Sequence, residues 1–389
     1  MEYLFLVISA FVSLIVNGRG MFRRSRIERV LVFKLDHIGD VVTATPALDH
    51  LRDAYPGAEI TLVVGPWSAP LIEGHPSVDR LVVHGSRAFA RNAPLPSSPS
   101  LRTLLPRDRY DLVVGLRDDK DSLAVSLGVG AVHRVDRGTV RIAEKLRRRR
   151  GALRTGASSE SMHEVETNLR IVGASPPPGG ARPRLFVRKD AEEWAKVLVA
   201  GRPEFANGYV VLHPGAHSPL RHWPADRFGL VARWVRKERG LGVVVTGSTE
   251  EAGLASNIAA EGGEGVLDLA GKTTLSRAVA MIAGARAMVS VDTGLMHVAT
   301  AVGTPVVALV GPEDPSRFGP YGPDHLVVDH RYPCSPCDQV HCVRASNECM
   351  EAITVAEVIR ALSSRLDLRP WPGRSEAPRD RPEPEGRPL

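Results

Sequence analysis

The sequence predicts an α/β protein made of two Rossmann-like, doubly wound parallel sheets that face a central cleft. Apolar, β-branched runs alternate with helical patterns along most of the chain, which is typical of parallel sheets covered by helices on both faces. The chain has 389 residues, more than one typical core holds, and a Pro/Gly run at 176–180 divides the alternation into two series.

The first series predicts a domain over residues 29–175. It opens with a buried strand at 29–35, and after the turn at Gly39 apolar residues recur at helical spacing. Further strands are expected in the runs "EITLVVG", "RLVVHG" and "DLVVGL". The Pro/Gly run lies in a predicted linker over residues 176–185.

The second series predicts a domain over residues 186–366. Strands are expected in "YVVLH", "GVVVTG", "VLDL", "AMVSVD" and "PVVALVG", and helices at 226–238, 250–261, 275–283, 294–301 and 354–366. Pro, Arg and Glu dominate residues 367–389, which hold too few apolar residues to form a core. We therefore predict a disordered tail there.

Residues 1–28 contain an apolar run, Tyr3–Val16, followed by several arginines. The run is short for a membrane span of ~20 residues. No basic residue precedes it, unlike the start of a secretory signal. We predict a weak anchor at the inner face of the cell membrane, with the rest of the chain in the cytoplasm. A translation start at Met21 is the alternative.

The charge balance favours an anionic partner. Net charge is only +6 at pH 7, but Arg exceeds Lys, and Arg makes bidentate contacts with phosphate and carboxylate. An Arg-rich genome composition explains the same excess without a partner. The run Arg147–Arg150 has no interleaved aromatic residues, so nucleic-acid binding is not expected.

The stretch "SVDTGLMHVA" predicts an anion site at the end of a buried strand. Asp292 or Thr293 can cap the helix that follows, Gly294 admits a ligand close to the backbone, and His297 lies about one turn in. The unpaired N–H groups at such a helix start favour a phosphate. A plainly capped helix with a packed histidine accounts for the same residues without a ligand.

Three more strand-end turns in this half suggest a nucleotide with its phosphates. Arg221, in "HPGAHSPLRHW", can reach a diphosphate, or it can lie on the surface. "TGSTEE" is a small polar turn, and "LAGKTT" is placed to border a base. The residues predicted to bind the donor here are Arg221, Thr246, Gly247, Ser248, Gly271 and Lys272. No turn matches GxGxxG or a Walker loop, which disfavours a dinucleotide dehydrogenase.

In the first half, "LDHIGDVV" places Asp40 at a helix start beside the cleft. The helix terminus favours its ionised form, and a carboxylate there can take a proton from an attacking hydroxyl. Simple helix capping is the alternative role. Gly39, Arg117 and Lys120 are predicted to contact the acceptor, although the two basic residues can equally face water.

The four cysteines, Cys334, Cys337, Cys342 and Cys349, fall in one segment. The opening C-x2-C resembles a metal hairpin, but the later spacings match no standard zinc site, and His341 is a competing ligand. A structural zinc, a local disulfide and free thiols stay open. No catalytic cysteine is predicted.

Together the motifs resemble the lipopolysaccharide heptosyltransferases of glycosyltransferase family 9, which have the GT-B fold. The resemblance runs from about residue 29 to about residue 366 and is carried by "HIGDVVTATPALDHLRDAYPGAEITLVV", "HPGAHSPLRHWPADRF", "LAGKTTLSRAVAMIAGARAMVSVDTGLMHVATAVGTPVVALVGP" and the cysteine segment. The combination of I-G-D with a later D-T-G-x-x-H is its most specific part.

The resemblance implies an ADP-heptose donor in the C-terminal half and a lipid-linked core saccharide as acceptor in the N-terminal half. It implies inverting transfer with Asp40 as base and no catalytic cofactor. Asp292, Thr293, Gly294 and His297 match the family's donor loop. Arg221 stands where the family often has Lys, which changes the geometry offered to the donor.

Two other functions are compatible with the residues. A nucleotide-sugar 2-epimerase on the same two-domain plan needs no acceptor site. A non-catalytic binding protein with a metal at its cysteines needs neither Asp40 nor His297.

Overall fold

The computed structural model describes residues 27–85, 101–105, 109–117, 129–138, 140, 162–176 and 180–368. The predicted anchor, the basic run Arg147–Arg150 and the tail from residue 369 onward lie outside these residues. Among the helices described, none is both long and apolar enough to cross a bilayer.

The N-terminal lobe is built on a five-stranded sheet in which each paired strand is parallel to its neighbour, in the order β3-β2-β1-β4-β5. Its strands are β1 (Arg29–Lys34), β2 (Glu59–Val64), β3 (Arg80–Val83), β4 (Tyr110–Gly115) and β5 (Ala131–Asp136). Its described helices are α1 (Ile38–Ala54), α2 (Ala69–Ile72), α3 (Leu101–Leu104) and α4 (Glu164–Ile171). The predicted strands are confirmed to within a few residues, whereas β5 and α4 were not predicted.

The C-terminal lobe has a six-stranded parallel sheet in the order β11-β10-β9-β6-β7-β8. The strands are β6 (Tyr209–His213), β7 (Gly242–Val245), β8 (Val266–Asp268), β9 (Ala287–Val291), β10 (Val306–Val310) and β11 (Leu326–Asp329). The helices are α5 (Lys189–Ala200), α6 (Ala225–Arg239), α7 (Ala252–Gly262), α8 (Leu275–Ala283), α9 (Gly294–Ala301), α10 (Pro315–Phe318), α11 (Glu348–Glu351) and α12 (Val355–Leu368). The helices α8 and α9 begin and end at the residues that the sequence predicted.

One buried apolar cluster contains side chains from both lobes, including Leu48 of α1 and Ala299 of α9. A residue of the predicted linker contacts the same helix α1. The backbone N–H of Arg184 donates to the Thr45 hydroxyl at 3.0 Å, and its guanidinium pairs with Asp49 of the same helix at 2.7 Å. The linker and domain limits drawn from the sequence stay predictions.

Helix α6 is anchored by a buried tryptophan at its start. Trp223 is 1% exposed, packs edge-on against Phe228 at 5.0 Å between ring centroids, and donates from Nε1 to the Ile353 carbonyl at 3.0 Å. This side chain therefore joins α6 to the chain just before α12.

We expect Trp223→Ala to lower the free energy of unfolding by about 3–5 kcal/mol, because it leaves a cavity and removes one of the two donors to the Ile353 carbonyl. Urea unfolding followed by circular dichroism measures the change. The control Val197→Ala, at a side chain that is 66% exposed, should shift stability by no more than about 0.5 kcal/mol. Equal effects of the two substitutions would contradict the anchoring role.

Candidate active site

The two lobes meet where the first turns of α1 and α9 touch, and two glycines permit the contact. A Cβ added at Gly39 would lie 2.7 Å from Cδ2 of His297, and one added at Gly294 would lie 2.9 Å from Cβ of Ile38. Each helix follows a parallel strand of its own sheet, β1 or β9. The crevice is therefore built from the carboxyl ends of both sheets, where open α/β sheets bind ligands.

Asp40, next to Gly39, faces a group of buried charges. Lys34 Nζ at the end of β1 lies 2.8 Å from Oδ2 of Asp36 and 3.8 Å from Oε1 of Glu164. Lys34, Asp36 and Glu164 are all at least 96% buried. Burial disfavours the charge on Lys34, but Asp36 and Glu164 outweigh it and raise the pKa of this lysine.

The side chain of Asp40 itself is partly buried. Burial, reinforced by the charges of Asp36 and Glu164 and opposed by Lys34 and Arg117, raises its pKa to about 6. No hydrogen bond to its carboxylate comes from the described part of the chain. The group is therefore a stronger base than an ordinary aspartate, and its oxygens face no fixed donor there.

Two arginines close this charge network. Arg117, after β4, forms an ion pair with Asp36, and Arg137 binds both oxygens of Glu164 at 2.6 and 3.1 Å. Arg117 is thus engaged with a buried carboxylate and does not simply face water. Lys120, the other basic residue predicted to contact the acceptor, lies outside the described residues.

On the other side of the crevice Arg221 is held by Asp292 and Glu313. Its Nη1 lies 3.1 Å from Oδ2 of Asp292, off the line of a hydrogen bond, and donates to the Asp292 carbonyl at 3.3 Å. Burial raises the pKa of Asp292 to about 6. The Arg221 charge opposes this rise, and the Glu313 charge adds to it. Arg221 is therefore not an isolated surface residue.

The start of α9 differs from the capped helix considered as an alternative. Thr293 occupies the N-cap position, but its side chain makes no capping hydrogen bond. His297 is 7% exposed, and its Nδ1 has no partner within the described residues. Burial, with the charges of His163 and Arg221, lowers the pKa of His297 to about 3, so the ring is neutral at pH 7.

The remaining predicted donor residues lie in two adjoining turns. The Gly271 N–H donates to the Gly247 carbonyl at 3.0 Å, while Lys272 pairs with Asp268 at 2.9 Å. Gly271 has φ +68, and a Cβ there would lie 3.0 Å from Thr249. The Thr246 hydroxyl lies 3.0 Å from Nδ1 of the buried His213, so it faces this ring rather than the crevice.

Comparison with known proteins identifies the chain. The sequence model described as glycosyltransferase family 9 (heptosyltransferase) matches residues 100–346. Lipopolysaccharide heptosyltransferase 1 of Pseudomonas aeruginosa is 30% identical over 332 residues, which cover 82% of this chain and 89% of that protein. The chain belongs to glycosyltransferase family 9. It is therefore a glycosyltransferase.

Solved structures show that this family 9 enzyme has the GT-B fold. The family 9 glycosyl transferase of Veillonella parvula aligns with a TM-score of 0.70 at 20% identity, covering 88% of this chain and 98% of that one. The ADP-heptose lipopolysaccharide heptosyltransferase II of Escherichia coli aligns with a TM-score of 0.64 at 23% identity, covering 87% and 99%. The predicted fold class is confirmed.

The four cysteines of the family 9 enzyme line one cavity beside Pro312. All four are free thiols. Among the described residues no set of three or more His, Cys, Asp or Glu side chains is arranged to hold a metal ion. The arrangement therefore does not support the structural zinc that the sequence left open, nor a disulfide.

Sequence reasoning missed several charged residues of the crevice. A lysine ending the apolar strand "RVLVFK" was the available signal for Lys34. Glu251 was not predicted, although it is the last residue of the turn "TGSTEE". Its Oε2 accepts from the Ser248 N–H at 2.7 Å, and its carboxylate fills the space above Gly215. Glu164 and Glu313 carried no local signal, because only the fold brings them to the site.

The raised pKa of Asp40 predicts a cost in stability at neutral and higher pH. A folded-state pKa of about 6 against an ordinary 3.8 means that folding favours the protonated form. Its contribution is present below pH 3.8 and lost as pH rises through about 6. Asp40→Asn should therefore melt a few degrees above wild type at pH 8, and the gap should narrow as pH falls below about 6.

Thermal unfolding monitored between pH 5 and 8 measures this gap. The control is Asp53→Asn, which changes an exposed carboxylate of the same helix. An Asp40→Asn protein that is less stable than wild type at pH 8 would refute the argument.

Proposed function

We propose that this enzyme transfers a heptose from ADP-heptose to the core saccharide of a lipopolysaccharide-type acceptor, with inversion at the anomeric carbon. The observation that carries the proposal is the contact between Gly39 and the start of α9. It sets a carboxylate with a raised pKa beside a crevice whose other wall carries Arg221, Asp292 and the neutral His297. The names of the Pseudomonas and Escherichia relatives support the choice of sugar, donor and acceptor.

In the proposed step Asp40 takes the proton of an acceptor hydroxyl as that oxygen attacks the anomeric carbon of the donor. The bond from this carbon to the diphosphate oxygen breaks, and its electron pair leaves with ADP. A base with a pKa of about 6 is ionised at neutral pH yet stronger than an ordinary aspartate. Attack from the face opposite the diphosphate inverts the centre.

The leaving diphosphate needs stabilisation on the C-terminal side. Arg221 supplies the positive charge, and the backbone N–H groups from Thr293 to Leu295 lie at the start of α9, where an anion is favoured. His297, neutral and with a free Nδ1 in the described structure, can hydrogen-bond the donor without adding charge. These groups complete the step without a metal ion, so we expect transfer to persist in the presence of EDTA.

The acceptor half is proposed to bind an anionic, lipid-linked saccharide. Arg117 stands beside the base, although its guanidinium is partly neutralised by Asp36. Such an acceptor places the enzyme at the inner face of the cell membrane, in agreement with the apolar segment predicted at residues 3–16. The proposed location is thus cytoplasmic and membrane-associated.

A panel of ADP- and UDP-sugars, with and without a heptose-free core acceptor, tests the proposal. We expect ADP release that depends on both ADP-heptose and the acceptor, and a product whose anomeric configuration, read by NMR, is opposite to that of the donor. Donor conversion without acceptor would favour an epimerase. Release from UDP-sugars alone would refute the donor assignment.

We expect Asp40→Ala to lower kcat about 10²–10⁴-fold, because it removes the base, while ADP binding changes little. In the wild type, kcat/KM should fall as pH drops below about 6, where Asp40 becomes protonated. Initial rates between pH 5 and 8 measure both effects. The matched control is Asp53→Ala on the same helix. An Asp40→Ala enzyme with full transfer activity would exclude Asp40 as the base.

A further inference from the structure

The cysteine-bearing segment, residues 332–349, is hydrogen-bonded to the loop that carries Arg221 and to the loop that follows β10. The Ser218 hydroxyl donates to the Gln339 carbonyl at 3.0 Å, and the Asn347 amide donates to the His222 carbonyl at 3.3 Å. On the other side the Cys337 N–H donates to the Pro312 carbonyl at 3.0 Å. The segment is therefore fixed against the donor wall of the crevice.

Gln339 projects from this segment onto Arg221. Its Oε1 accepts from Arg221 Nε at 2.5 Å, and its Nε2 donates to Oε2 of Glu313 at 2.7 Å. Only one orientation of the amide satisfies both contacts, since Arg221 can only donate and an ionised Glu313 can only accept. Gln339 has φ 59, the one non-glycine residue with positive φ in the described chain.

These contacts occupy every nitrogen of the guanidinium. Nε binds Gln339, Nη1 binds the Asp292 carbonyl, and Nη2 lies 3.5 Å from Glu313. A guanidinium is planar, so a bond at Nε together with bonds at both Nη atoms fixes its plane. A lysine at position 221 has no Nε–H and gains no orientation from Gln339.

We propose that Gln339 is a positioning residue for the donor, holding the Arg221 guanidinium in the plane that binds the diphosphate of a nucleoside-diphosphate sugar. The inference rests on the proposed role of Arg221 in donor binding. It gives the cysteine-bearing segment a function at the active site.

A double-mutant cycle on ADP binding tests the proposal. Calorimetry gives the ADP dissociation constant for wild type, Gln339→Ala, Arg221→Lys and the double variant. We expect Gln339→Ala to weaken ADP about tenfold in the wild-type background, as for loss of a hydrogen bond to a charged group. In the Arg221→Lys background the same change should have less than about a twofold effect.

The control for the segment is Val343→Ala, at a side chain that is 82% exposed; it should leave ADP binding unchanged. Gln339→Gly, which suits the positive φ, repeats the test if the alanine variant unfolds. Equal weakening by Gln339→Ala in both backgrounds would show a merely structural role and overturn the proposal.

The outcomes also separate this proposal from the proposed function. If Arg221→Ala weakens ADP but Gln339→Ala does not, only the positioning role fails. If wild type does not bind ADP, both the donor assignment and the positioning role fail. If Arg221→Ala binds ADP as tightly as wild type, the role of Arg221 in donor binding fails and the positioning role of Gln339 fails with it.

Discussion

The contact between the first turns of α1 and α9 is the constraint on which the site depends. Each helix has a glycine in its first turn at the point of contact, and a Cβ at Gly39 or Gly294 would collide with the opposite lobe. The collision at Gly294 would involve Ile38 and the backbone of Gly39, which can yield only if the helices separate. The proposed base from one lobe and the proposed anion-binding helix start from the other can share one crevice only while this approach is kept.

Beside this contact the site holds a group of buried charges, which is possible because they are paired. Burying an ion costs several kcal/mol unless it is paired, and Lys34, Asp36 and Glu164 form such a set with the two arginines around them. When Asp40 is included, the set holds three carboxylates and three cations, the cations being Lys34, Arg117 and Arg137. The equal numbers of opposite charges offset part of the cost of burying the group. Within it, burial and the charges of Asp36 and Glu164 raise the pKa of Asp40.

The central strands could be predicted because both of their faces are buried, so β1, β2, β9 and β10 read as continuous apolar runs. Strand β5 was missed because "AVHRVD" carries His and Arg within a partly buried edge strand. The motif residues Asp40, Arg221 and Asp292 could be found because they lie in the loops and helix starts that come after predicted strands. Their partners could not, since Glu164 and Gln339 come from distant segments that only the folded chain brings to them.

The surroundings of Arg221 suggest how the donor wall changes its charge when a diphosphate enters. Before binding, one guanidinium faces the carboxylates of Asp292 and Glu313. A diphosphate bound there, as we propose, would add further negative charge and so raise the pKa of Asp292 further. Proton uptake by Asp292 would relieve the repulsion and free part of Arg221 for the phosphates. Gln339 is uncharged, so its hydrogen bond to Nε of Arg221 can persist while the donor phosphates replace Asp292 and Glu313 as partners of the two Nη atoms.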